Sequence, residues 1–346
     1  MYLSNPLTSQ LFPRVFNLRR AVLALGAVAL LALPFSSRAA DLPSATQSLL
    51  DGRNDDAVAQ LKEILATDPS NGQAHLLLCR AYYAQSMASA ASSECSAALR
   101  TLANDSSAQD WAGRAHGMQA DGAGPIAGLR LAIKVRNAFE AAVRINPLNG
   151  DAVNDLSEYY IDAPSIVGGG FEKAALLADR SQSQLPQNAH RIRAMAAEKQ
   201  KDYATAEREF RAATTVANQP NAWADLGAFY SRRSQPDEAV QALRRAIALD
   251  HAHDATLVDA AMTLTEINRE SRLAERAFRD YLASRSKSDA APAFKVHVML
   301  AKLLRNEGNT PDAKIELEHS LELASGYAPA LKELAAIEHE ETIAAR

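Results

Sequence analysis

One spacing recurs along this chain and leaves few folds open to it: a small or β-branched residue, usually Ala, an apolar residue four positions later that is bulky in all but one copy, and a further small or apolar residue three after that. It appears as Ala57, Leu61, Ile64; as Val135, Phe139, Ala142; as Ala174, Ala178, Ser181; and as Ala206, Phe210, Ala213. It continues as Ala239, Leu243, Ala246; as Ala274, Phe278, Tyr281; and as Ala313, Leu317, Ser320. Steps of four and three place each trio on one helix face, and repetition at a near-constant interval means stacked copies of one helical unit. Pro69, Pro147 and Pro186 each fall 12 residues after the lead residue of their copy, where proline ends the second helix because it cannot extend the hydrogen-bond ladder.

The unit is a hairpin of two amphipathic helices joined by a short polar turn, such as Gly52-Arg53-Asn54-Asp55, Arg233-Ser234-Gln235-Pro236 or Asn306-Glu307-Gly308-Asn309. The most complete copy carries Trp223, Leu226, Gly227 and Tyr230 ahead of Ala239, Leu243 and Ala246. This combination resembles the tetratricopeptide repeat (TPR), which implies an all-α solenoid of antiparallel helix pairs, about seven to eight repeats here, with a C-terminal capping helix. The organisation expected is N-terminal repeats over 40–105, an irregular Gly-rich connection over 106–128, further repeats over 129–327 and a capping helix over 328–346. Composition agrees: 47% of residues are hydrophobic but only 6% aromatic, a mixture that favours closely packed helices.

The first 39 residues read differently. Arg14, Arg19 and Arg20 precede an apolar run from Ala21 to Phe35, with Ser37 and Ala39 at the small-residue positions of a cleavage site. This is the layout of a secretory signal, with a mature start at Ala40 and a periplasmic destination. The alternative is an uncleaved inner-membrane anchor, but fifteen apolar residues fall short of the roughly 20 that span a bilayer, so no stable membrane span is expected after cleavage. Four arginines and no acid lie within 1–39, so their removal takes the net charge from −4 to −8. That balance argues against a nucleic-acid partner.

Two cysteines, Cys79 and Cys95, fall about equally far before and after the turn of one hairpin. An antiparallel pair brings them level, and an oxidising compartment favours a disulfide over two buried thiols. A second departure is the stretch Ala163-Pro164-Ser165-Ile166-Val167-Gly168-Gly169-Gly170, which expands one inter-helix turn by five residues. Either the loop of Pro164, Gly168, Gly169 and Gly170 folds back with Pro164, Ile166 and Val167 packing down, or its glycines present backbone N–H groups as an anion nest. The stretch resembles an Ala-Pro-x-Ile-x-Gly-Gly loop of some exported bacterial TPR proteins.

No catalytic fingerprint assembles, so neither an enzyme nor a cofactor is expected. Asp250-His251-Ala252-His253-Asp254 has a chelating His-x-His spacing, but polar residues are ordinary in an inter-repeat turn, and no metal is assigned to it. The TPR resemblance implies a concave groove, lined by the first helices, that takes a protein or peptide partner. Its projected contacts are Asn154, Asp155 and Glu158; Arg191 and Arg193; Asn221, Asp225 and Arg232; Asp259 and Glu266; and Lys302. Carboxylates dominate this set, which points to neutral or basic partner segments. The leading reading is an exported interaction scaffold. An accessory subunit of an envelope enzyme or secretion complex is the alternative, and an autonomous hydrolase lacks a visible site.

Overall fold

The computed structural model describes residues 40–344; the expected leader, with its cleavage point after Ala39, lies outside the described residues. Among the described residues there are seventeen α-helices and no strand. They run α1 (Leu42–Leu50), α2 (Asn54–Thr67), α3 (Gly72–Ala84), α4 (Ala88–Ala98), α5 (Ser106–Asp121), α6 (Pro125–Ile145), α7 (Gly150–Asp162) and α8 (Phe171–Ser181). Then follow α9 (Pro186–Lys199), α10 (Tyr203–Ala217), α11 (Pro220–Arg232), α12 (Pro236–Leu249), α13 (Ala255–Glu266), α14 (Ser271–Ala283), α15 (Ala293–Asn306), α16 (Thr310–Leu323) and the terminal α17 (Ala328–Ala344).

The helices pair in order, α1 with α2 through α15 with α16, making eight hairpins and a final single helix. The chain is a TPR-like α-solenoid. Starts are written locally: Asn71, Asp105, Asn149 and Asp202 each accept the backbone N–H three residues on, satisfying a donor that the first turn leaves free. Pro69 and Pro147 lie just beyond α2 and α6, as expected, whereas Pro186 opens α9 instead of closing α8. Proline suits that first helical position because its missing N–H would have had no partner there.

Within each pair the helices touch at small residues. The lead alanines 57, 174, 206, 239, 274 and 313 are fully buried. A Cβ on Gly227 would lie 2.6 Å from the Leu243 side chain, and one on Gly113 would lie 2.3 Å from Phe139. Gly113 belongs to α5, in the stretch expected to be an irregular connection over 106–128. That expectation is corrected: residues 106–121 form an ordinary first helix, with Trp111, Ala112 and Ala115 buried, and only the turn at 122–124 is Gly-rich. Gly113 therefore marks a close helix approach and not a break.

Helices two apart in sequence touch along the odd-numbered series, α1 to α3 and onward to α15, so the odd helices form the inner wall of a curved stack. Eight pairs bring the ends together. Gly52, in the α1–α2 turn at φ +79°, abuts Ala293 at the start of α15. Asp55 on α2 accepts hydrogen bonds from the Ser325 backbone N–H and hydroxyl at 2.8 and 2.6 Å, beyond the end of α16. Arg80 on α3 reaches Asp289, in the α14–α15 loop, at 2.5 Å.

Cys79 and Cys95 are both fully buried and form a disulfide between α3 and α4, with their Cα atoms 5.2 Å apart. Closing a loop of this size stabilises a fold by about 3 kcal/mol. Reduction should therefore add about 2 Da to the intact mass and lower the free energy of unfolding by about that many kilocalories, as urea melts with and without reductant will measure. Gly52→Val, strained at positive φ and crowded by Ala293, should part the two ends. Small-angle scattering of the variant should show a larger maximum dimension with helical content unchanged.

Candidate partner-binding groove

The concave wall is built from one side of α5, α7, α9, α11 and α13. Several inward residues meet counterparts on the next odd helix, so charges spaced by one repeat interact. Arg114 on α5 bridges Asp110 at 3.2 Å and Asp155 on α7 at 2.5 Å. Arg191 on α9 bridges Glu158 on α7 at 2.8 Å and Asp225 on α11 at 3.2 Å. Arg232 grips Glu198 with two parallel 2.8 Å hydrogen bonds, a fork geometry that fixes register as well as charge. Asn188 donates to Asn154 at 3.0 Å, and Gln187 donates to Asn221 at 2.9 Å. A cleft of about 490 Å³ opens between α7, α9 and α11, with Arg191, Asp225 and Arg232 among its lining residues.

Most of the expected contacts are thus brought together, with two exceptions. Arg193 faces away, pairing with Asp179 at 2.9 Å and with Gln182, because two steps along a helix turn a side chain by about 200° from the inward Arg191. Lys302 pairs with Glu333 on α17 at 3.4 Å and belongs to the end of the stack. The acidic character expected of the groove is also reduced. Asp155, Glu158 and Asp225 are neutralised by arginines, and among the described residues only Asp259 and Glu266 of the projected carboxylates have no basic partner. Asp259 is exposed on α13, yet desolvation by the surrounding wall, with the charges of Asp225 and Asp254, pushes its pKa up to about 6.

The N-terminal part of the wall is covered by the chain itself. The α14–α15 loop is tied down by the Tyr281 hydroxyl, which accepts from the Ser288 N–H and donates to the Ala291 carbonyl at 2.6 Å, and it seats Asp289 against Arg80. Arg80 and Arg114 both lie over Trp111, at 5.3 and 4.8 Å from its ring centre. Sequence reasoning missed Trp111 and Arg114 because their helix was read as irregular; the run Ala108, Ala112, Ala115 behind the Asp105 cap was the available signal.

The loop at 163–170 is a satisfied structural turn. Gly168, Gly169 and Gly170 donate their N–H groups to Ser165, Pro164 and Tyr160 carbonyls, which leaves no nest for an anion. Gly169 sits so close to Ala163 that a Cβ would fall 1.8 Å from its carbonyl oxygen, so steric space requires glycine there. Val167 packs down as expected, but Ile166 is 80% exposed and Pro164 is exposed too, because the single 3-10 turn over Ser165–Val167 turns them outward. In the Asp250–Asp254 turn, Asp254 caps Thr256 and Asp250 accepts from Asp254, while His251 and His253 point to solvent and are not gathered with them.

Asp110 provides a pH test. Burial first, then the charges of Asp155 and Asp151, push it up to about 7 against the pull of Arg114. Its folded pKa lies above the value near 3.8 of a free side chain, so the native state holds the extra proton and loses stability as pH rises between those two values. Asp110→Asn removes a charge that the fold disfavours. Urea melts at about pH 4 and about pH 7.5 should show a smaller loss of stability with rising pH for the variant than for the parent.

Comparison with known proteins agrees with this architecture. Residues 48–113 match the tetratricopeptide repeat family. No curated protein matches the sequence. Among solved structures, yeast Tom70 aligns at a TM-score of 0.50 and 14% identity over 89% of this chain and 66% of that one. TTC0263, a thermophilic TPR protein of Thermus thermophilus, aligns at 0.43 and 16% over 65% of this chain and 97% of that one. A chain of the APC/C hetero-tetramer Cut9-Hcn1 aligns at 0.39 and 14% over 85% of this chain, which spans 54% of its length. The chain is a TPR-like α-solenoid in which the segment 48–113 carries the recognised tetratricopeptide repeat sequence.

Proposed function

We propose that this protein is an exported interaction scaffold that holds an extended partner segment against the α9–α13 part of its concave wall. The observation that carries this reading is the division of that wall. Its N-terminal part is occupied by the chain's own Asp289 loop, while the α7–α11 cleft is open and is lined by Asp225, whose charge acts on the unpaired Asp259. Because the neighbouring carboxylates are already neutralised, the groove selects by shape and by hydrogen bonding along the cleft, with one basic partner group favoured near Asp259. Periplasmic location is supported by the basic, apolar and small-residue order of residues 1–39 and by a disulfide buried in a hairpin core.

A second reading, an accessory subunit of an envelope enzyme or secretion complex, is favoured by a different surface. Ile126, Leu129 and Ile133 on the projecting first half of α6 and Ile166 on the adjoining loop are all exposed, at 73, 43, 37 and 80%. An exposed apolar ridge of this kind marks a docking face. Affinity purification from the envelope fraction of the native cell separates the two readings. If the groove binds the partner, Asp259→Lys should lose it while the double variant Ile126→Ser, Leu129→Ser retains it. The reverse pattern would assign the partner to the ridge, and an N-terminal sequence of the purified protein other than one starting at Ala40 would overturn the cleavage site.

A further inference from the structure

A histidine–glutamate strut recurs three times between the two helices of a pair, always 19 residues apart. His75 meets Glu94 at 2.6 Å, His190 meets Glu209 at 2.8 Å, and His297 meets Glu316 at 2.7 Å. In each case the imidazole Nδ1 faces one carboxylate oxygen and ties the first helix to the second. One turn beyond the glutamate, the first two struts carry Ala97 and Ala212. The third carries His319, whose ring lies edge-on to that of His297 with centres 5.4 Å apart. One ligand atom from each of His297, Glu316 and His319 lies within 4.8 Å of the others. A helical step of three places Glu316 and His319 on one face of α16, directed at the same point from which His297 approaches on α15.

We propose that His297, Glu316 and His319 form a binding site for a divalent transition metal of the zinc class, with two imidazoles and one carboxylate as ligands and the remaining positions open to water. Two nitrogens and one oxygen are a donor set that zinc accepts in tetrahedral sites keeping an open position. The surroundings support it. Glu316 is buried, and its other oxygen accepts from Arg279 on α14 at 3.3 Å, the outer contact that orients a ligating carboxylate. His319 is exposed and provides the entry path. Coordination would take the place of the His297–Glu316 hydrogen bond, because metal ligands bind through lone pairs that carry no proton. The metal would clamp α15 to α16, the pair that meets Gly52 and Asp55 where the two ends come together.

Isothermal titration of the full mature chain with ZnCl₂ tests the site, with His319→Ala as the principal variant because that side chain is exposed and makes no part of the strut. The expected result is saturable binding of one ion per chain, weakened by at least about tenfold in His319→Ala and unchanged in His253→Ala, which removes the only His-x-His alternative. Cobalt substitution should give ligand-field absorption in the parent that is lost in His319→Ala, while both keep the same circular dichroism. Absence of saturable heat in the parent, equal affinity in His319→Ala, or loss of binding in His253→Ala would overturn the proposal.

Discussion

Everything in this molecule depends on how closely the two helices of a pair can approach. Buried alanines with no exposed surface, Gly227 under Leu243 and Gly113 under Phe139 set that distance, and the bulky residues beside them fill the remaining space at interior density. A methyl group added at Gly227 or Gly113 would meet a fixed side chain of the partner helix, so the spacing cannot relax by small adjustments. Once the pairs share one geometry, each adds the same small rotation to the stack. The rotations accumulated along the eight pairs carry Gly52 to Ala293 and Arg80 to Asp289.

The charged ladder on the inner wall is a consequence of that stacking. Side chains one repeat apart face each other, so an arginine on one odd helix lies between acids on its neighbours, as Arg191 does between Glu158 and Asp225. Partly buried pairs of this kind contribute little net stability, because desolvation offsets attraction, but removing one partner leaves an uncompensated charge. The ladder is accordingly a device for register between pairs. It also explains why an acid-rich groove does not behave as a simple anionic surface: the charge is neutralised within the wall, and Asp259, where the ladder ends without a base, is the one with a raised pKa and no arginine to oppose it.

Much of this was legible in the residues. The repeated trios located the second helix of seven pairs, the Trp223–Tyr230 pattern identified the packing type, and the symmetric placement of Cys79 and Cys95 about their turn foretold the disulfide. The segment 106–128 was misread because glycine has two uses that look alike in sequence. Gly113 and Gly117 lie within a helix, and Gly113 admits a neighbouring ring there, whereas Gly122 and Gly124 form the turn. Arg193 was misplaced by a related ambiguity, since on a helix with small residues on several sides the inward direction is decided by neighbours that the local sequence does not name.

The sequence by itself determined the helical hairpin, its length and its repetition, because periodicity, capping residues and prolines act over a short stretch of chain and need no partner. Only the tertiary structure decided which charges meet, that the Asp289 loop covers the N-terminal wall, that the triple glycine commits its N–H groups to its own turn, and that His297, Glu316 and His319 converge. Those outcomes depend on the rotation accumulated from pair to pair and on contacts as distant as Asp55 with Ser325. A small change in the angle of each pair would separate such groups without altering any local pattern.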